Sequence, residues 1–139
     1  MAIPKILDHE RKLKNIQDGT GELSIKEGGE TTASGSAAHA EGWQTTANGA
    51  YSHAENFKTT AGPVAHAEGD GTTASGQASH AEGSKTTASE FGSHAEGQQT
   101  TASGPFSHAE GWHTTASGVY SHAEGEYSQA IGRSSHAEG

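Results

Sequence analysis

Cysteine is absent from this sequence, which excludes disulfide bonds, thiolate metal sites and cysteine nucleophiles. Bulky apolar side chains are almost as scarce. Leu, Ile, Val and Phe together supply 13 of 139 residues, well under the roughly 20% below which a chain is expected to stay disordered. A conventional core of this size needs several times more to offset the entropy of ordering the backbone. A Rossmann sheet, a TIM barrel and a helical bundle with a large core are therefore excluded. No window approaches the ~18 apolar residues of a membrane-spanning helix, so no membrane insertion is expected. The opening Met1-Ala2-Ile3-Pro4-Lys5 lacks the apolar stretch of a secretory signal. Basic residues are few, and the formal net charge of −9 argues against nucleic acid as a partner. Five of the eight Lys and Arg fall in residues 1–30, leaving three against eleven acids in residues 31–139. The two regions differ in chemistry.

What the sequence has instead is a repeat, which must be read before anything else. The tetrapeptide His-Ala-Glu-Gly, or a near copy, begins at His39, His53, His66, His80, His94, His108, His122 and His136. The spacing is 14 residues throughout, except for one interval of 13 caused by a deletion after Ala61. Between copies lies Thr-Thr-Ala-Ser-Gly or a variant, beginning at Thr31, Thr45, Thr59, Thr72, Thr86, Thr100, Thr114 and Ser128. A degenerate half-unit, Ser24-Ile25-Lys26-Glu27-Gly28, precedes them with Ile25 in the His slot and Glu27 in the Glu slot.

Each unit splits into two sevens of the form small-x-Ala-x-Gly-x-x. In a strand, positions 1 and 3 face one side and positions 2 and 4 the other. Gly at position 5 allows a left-handed backbone or close packing at a sharp turn. Two strands and two turns make one coil, and coils stack through backbone hydrogen bonds about 4.8 Å apart, so eight coils form a rod of about 38 Å. The fold expected is an all-β parallel β-roll, or solenoid, over residues 23–139, preceded by a leader over residues 1–22. Residues 4–18 read as a short helix, with Pro4 in its first turn, Ile6, Leu13 and Ile16 on one face, and Asp18-Gly19 ending it.

Positions 1 and 3 hold Ser, Thr and Ala almost throughout, as the thin interior of a two-sheet roll requires. Such an interior gains little at about 25 cal/mol per Å² of buried apolar area, so side-by-side association is expected. Trp43, Phe57 and Trp112 after one Gly, and Tyr51, Val64, Phe106 and Tyr120 before the next strand, are the expected contacts between subunits.

These small-x-Ala-x-Gly heptads at a 14-residue period resemble the head repeats of YadA-like trimeric autotransporter adhesins, with Ser128-Gln129-Ala130-Ile131-Gly132 the nearest match to that family's strand. The Ser-His-Ala-Glu-Gly/Thr-Thr-Ala-Ser-Gly variety is similar to repeats in surface and phage-tail proteins of Gram-positive bacteria. The resemblance spans residues 24–139. It implies a left-handed parallel β-roll, a homotrimer around a common axis, and a stiff fibre or adhesin head on a bacterial surface or a virion tail. Such a fibre would act as a rigid spacer and as an attachment surface for a host-cell receptor. That family places Val and Ile toward the trimer axis, whereas this chain has His and Glu in one strand and Thr and Ser in the other.

Two vertical ladders result on the first strand. One is His39, His53, His66, His80, His94, His108, His122 and His136; the other is Glu41, Glu55, Glu68, Glu82, Glu96, Glu110, Glu124 and Glu138. A solvated face has little reason to be so uniform, and a lone column of like charges repels itself. The preferred expectation turns this face toward neighbouring chains, with His donating a ring N–H to Glu and Ile25 capping the polar stack. Paired Glu would then have lowered pKa values, and assembly would weaken in acid, near the ordinary Glu pKa of about 4. The alternative is a solvated His–Glu face with Thr and Ser toward the axis. His-x-Glu on one strand face can also chelate a divalent ion, although repetition at every coil fits structure better than one dedicated site.

No catalytic residue is expected. Every ladder His has near-equivalents, and Ser107-His108 puts its two side chains on opposite faces of a strand. Only His9 and His113 stand outside the ladder, and His113 is expected to be exposed at a turn. No cofactor is called for. The outward column Thr32, Thr46, Thr60, Thr73, Thr87, Thr101 and Thr115 raises ice binding as a different class of function, although the second outward slot is mostly Ser. The sequence closes at Gly139 on a complete repeat without a cap, which reads as a piece of a longer or processed fibre.

Overall fold

The computed structural model describes residues 16–139, and every regular element among them is a β-strand. The alternation of small and polar residues produces the arrangement directly. Strands beginning at each ladder His form one parallel sheet, and two-residue strands such as Thr46–Ala47 and Thr87–Ala88 form a second, eight-stranded one. Each coil contributes one strand to each sheet. Pairing is strictly in register, with His80 beside His66 and His94, and Thr87 beside Thr73 and Thr101. The deletion after Ala61 is absorbed at a corner, since His53 still pairs with His66 and Thr60 with Thr73. The architecture is a parallel β-solenoid of about eight turns.

Between the sheets lies an interior made of Ala, Ser and Thr alone. The inward Ala columns, including Ala81, Ala88, Ala95 and Ala102, are fully buried. From Ser24 to Ser121 the first position of each strand is also buried, and its chemistry differs between sheets. In the His sheet it is Ser, or Ala at Ala38 and Ala65, and the Ser hydroxyl donates across the corner, as Ser52 Oγ does to the Gly49 carbonyl at 2.6 Å and Ser79 Oγ to that of Gly76 at 2.7 Å. In the other sheet it is Thr, and the buried Oγ1 atoms of Thr45, Thr72, Thr86, Thr100 and Thr114 have no hydrogen-bond partner. Thr59 is different, since its Oγ1 donates to the Glu55 carbonyl at 3.1 Å. An unpaired buried hydroxyl costs free energy that an isosteric methyl does not. Thr100→Val is therefore expected to stabilise the protein by about 1 kcal/mol, whereas Thr59→Val is expected to destabilise it. Paired thermal melts check the opposite signs.

The corners hold a feature that the sequence pattern hides. The seventh residue of each heptad sits in the left-handed region, with φ between 53° and 58° at Ala37, Gln44, Tyr51, Lys58, Val64 and Ala78 among others. Most of these residues are not Gly, and Val64 is β-branched, for which this conformation is unfavourable. The corners form their own hydrogen-bond ladder, which holds them there. Gln44 N donates to the Gly29 carbonyl at 2.9 Å, Tyr51 N to Ser36 at 2.8 Å, and Lys58 N to Trp43 at 2.9 Å.

At the N-terminal end the expected helix is corrected in part. Its residues 4–15 lie outside the described residues. Its last three form a strand, β1 (Ile16–Asp18), antiparallel to the first repeat strand β2 (Ile25–Gly29). The edge of β2 presents unpaired backbone groups, and pairing satisfies them where a helix would leave them bare. Among the described residues no helix is long and apolar enough to cross a membrane.

Candidate functional site

The outward face of the His sheet gathers the repeat's chemistry into one surface. Because strands pair in register, each His stacks on the next. Ring centroids from His39 to His136 are 4.6–5.0 Å apart with interplanar angles of 2–12°. From His39 to His122 the imidazoles are half-buried, 35–37% exposed in the single chain. Each Nε2 points along the strand toward the Glu column. Nε2 lies 3.4 Å from Glu96 Oε2 at His94, 3.6 Å from Glu82 Oε2 at His80, and 3.5 Å from Glu55 Oε1 at His66. Among the described residues, every ion pair within 4.0 Å joins a ladder His to a ladder-position Glu, Glu27 included.

The expected His-to-Glu hydrogen bonds form only near the ends of the stack. His39 Nε2 is bonded to Glu27 Oε1 at 3.3 Å, and His136 Nε2 to Glu124 Oε1 at 2.9 Å. In the coils between, the Nε2 atoms of His53, His66, His80, His94, His108 and His122 are shielded from solvent and unpartnered. The 4.8 Å coil spacing suits ring stacking, and these six nitrogens lie 3.4–4.0 Å from the nearest carboxylate oxygen without forming a hydrogen bond. Ile25 takes the His slot beside His39 as expected, yet it is 43% exposed in the single chain.

Electrostatics follows from that geometry. Burial, then the neighbouring rings of His108 and His80, hold His94 down to about 4, against the pull of Glu110. His53, His66 and His108 are lowered for the same first reason. The carboxylates do not all move down as expected. Glu55 is pushed up to about 7, first by hydrogen bonding with Glu68 and then by burial. Glu96 is raised by its bond to Glu110, and the partners Glu68 and Glu110 are lowered. The cause is simple: each Glu has another Glu one coil away, and the contact between the two raises one carboxyl while lowering its partner.

A pH dependence follows. The four imidazoles have folded pKa values below the ordinary 6.5, so their contribution to stability is full above pH 6.5 and is lost as pH falls toward the folded values, about 4 for His94. The raised Glu55 and Glu96 act in the opposite sense, with their contribution lost as pH rises through the folded values, about 7 for Glu55. Their lowered partners offset much of this. The melting temperature is therefore expected to drop between pH 7 and pH 5, and His94→Gln to shrink the drop. Melts across that range at constant ionic strength would check it.

The remaining sequence-singled residues fall elsewhere. Thr46, Thr60, Thr73, Thr87, Thr101 and Thr115 form an in-register, half-exposed column on the other sheet, which Gln129 ends. Ser107 is buried while His108 faces outward, so the two cannot act as a pair. His113 is half-buried rather than exposed, because it stacks on Tyr127 at 5.0 Å and meets Trp112 edge-on at 4.6 Å. Trp43, Tyr51, Phe57, Val64, Phe106 and Tyr120 stand exposed on the single chain, while Trp112 is half-buried. Phe91, which the heptad pattern did not single out, joins Phe106 and Tyr120 in one aromatic row, with centroids 5.1 and 5.3 Å apart.

The family model described as "YadA head domain repeat" matches residues 67–89, 95–121 and 111–135. No curated protein matches the chain. The match covers coils whose 14-residue period, parallel register and small-residue interior are the ones described above. Over residues 67–89 and 95–135 the coils are similar to YadA head repeats, and their solenoid geometry fits that repeat type.

Proposed function

We propose that this chain is a segment of a homotrimeric fibre or adhesin head, a rigid structural element of a bacterial surface or phage-tail protein that also offers an attachment surface to a host receptor. Head repeats of the YadA type are structural adhesin modules, which favours a cell-surface setting and no enzymatic role. One observation carries the trimeric reading. Among the described residues the interior contains no side chain larger than Thr, while Trp43, Tyr51, Phe57, Phe106 and Tyr120 all stand on the outside. Burying Ala and Ser supplies little hydrophobic free energy, so the larger gain comes from covering these outer side chains with neighbouring copies. In the same reading the His–Glu ladders and Ile25 face the adjoining chains. Sedimentation equilibrium at neutral pH is expected to give the mass of three chains. A mass of one chain at micromolar concentration would overturn the assembly. An antibody against the repeat is expected to label a cell envelope or a virion tail, and label confined to the cytosol would contradict that placement.

A further inference from the structure

We propose that the His–Glu ladder is a row of binding sites for a first-row divalent transition metal ion, with Zn²⁺ the best-fitting case, each site built from three ladder side chains adjacent along the stack, one or two imidazoles completed by carboxylates. Trios of potential ligands recur along the ladder. His39 lies with Glu27 and Glu41, and His66 with Glu55 and Glu68, the donor atoms of each trio within 4.8 Å of one another. His39 Nε2 is 3.3 Å from Glu27 Oε1 and 3.9 Å from Glu41 Oε2; His66 Nε2 is 3.5 Å from Glu55 Oε1 and 3.7 Å from Glu68 Oε2.

Most of these separations are long for hydrogen bonds. They suit donors that share an ion. Two ligands each about 2.0–2.1 Å from a tetrahedral Zn²⁺ stand roughly 3.3–3.4 Å apart. The His66 nitrogen is shielded from solvent and unpartnered, which leaves it free to ligate an ion. A mixed imidazole–carboxylate set selects zinc-like ions over Mg²⁺, which prefers oxygen alone. Beside the first trio an open groove of about 300 Å³, lined by Glu27, Glu41, Gly28, Gly42 and Asn56, leaves room for water to complete the coordination.

Electrostatics points the same way. Among the described residues no Lys or Arg pairs with a ladder Glu, so the stacked carboxylates have no fixed cation to offset their mutual repulsion. A divalent cation would supply that charge. Repetition at every coil does not count against such sites. Adjoining trios share a carboxylate, Glu41 or Glu55, so neighbouring sites compete and alternate coils fill first. All ligands come from one chain, so the inference does not depend on the trimer.

The test is calorimetric titration of the full assembled chain with Zn²⁺ and, separately, with Mg²⁺ at neutral pH. Saturable uptake of about two or more Zn²⁺ per chain is expected, with no response to Mg²⁺. The triple substitution His39→Gln, His53→Gln, His66→Gln should bind fewer ions. If that variant does not fold, the ¹⁵N resonances of the ladder Nε2 atoms in the unaltered protein decide, because they should shift on adding Zn²⁺. Absence of Zn²⁺ uptake, equal uptake by a folded triple variant, or unmoved Nε2 resonances would each overturn the proposal.

Discussion

Ala95→Leu is expected to cost about 3 kcal/mol or more, at the upper end of what overpacking a core usually costs. Ala95 is fully buried in a column, in register with Ala81 and Ala109. The interior it faces holds only Ala, Ser and Thr, with no long side chain able to take another rotamer and make room. A single coil cannot swell without pulling its backbone hydrogen bonds away from the coils on both sides. His94 N donates to the Ser107 carbonyl at 2.9 Å, and Glu96 N to the Ala109 carbonyl at 2.9 Å. The opposite change, Ala95→Gly, removes one methyl and is expected to cost only about 1 kcal/mol. In a conventional core a large-to-small change is usually the costly one; here the asymmetry runs the other way. Denaturant titrations of the two variants measure it, and equal small effects would mean that the interior is not packed to contact.

Gly83→Ala is expected to cost about 2–4 kcal/mol through two separate effects. Its φ of 105° is one that side-chain-bearing residues rarely adopt. A Cβ placed there would also overlap the carbonyl oxygen of Gly97 in the next coil. The chain contains its own control. Asn56 fills the equivalent slot two coils earlier in the stack, with φ drawn back to 81°. Asn tolerates left-handed backbone better than Ala does. Gly83→Asn should therefore be the milder change, by about 1 kcal/mol. Thermal melts of the pair give the ranking, and an Ala variant as stable as the Asn variant would contradict this account of the corner.

Most of this architecture is visible in the residue order. The period fixes which side chains stack, so the Ala columns, the in-register His and Glu ladders and the position of Ile25 all follow from counting. The left-handed corners do not follow. At Leu23, Tyr51 and Val64 nothing in the residue type announces a positive φ, because the conformation is imposed by hydrogen bonds from coil to coil rather than by local preference. The strand at Ile16–Asp18 is hidden for a related reason. Its spacing suits a helix, and the open edge of β2 decides otherwise. At the candidate site the ladder residues could be named in advance, but the direction of the Glu shifts could not. Sequence places each Glu near a His. Only the stacked geometry shows that another Glu competes for the same contact.

Composition places this chain among disordered sequences, whereas its order makes it a stack of coils, and that contrast is the central claim. With no native cysteine, spin labels can be put at Ser36→Cys and Arg133→Cys, equivalent exposed corner positions seven coils apart. Labelled chains diluted into unlabelled protein isolate the distance within one chain, which pulsed dipolar spectroscopy reads. Seven steps of about 4.8 Å predict a narrow distribution near 34 Å. A broad distribution centred near 50–60 Å, as expected of a flexible chain of the same length, would contradict the account.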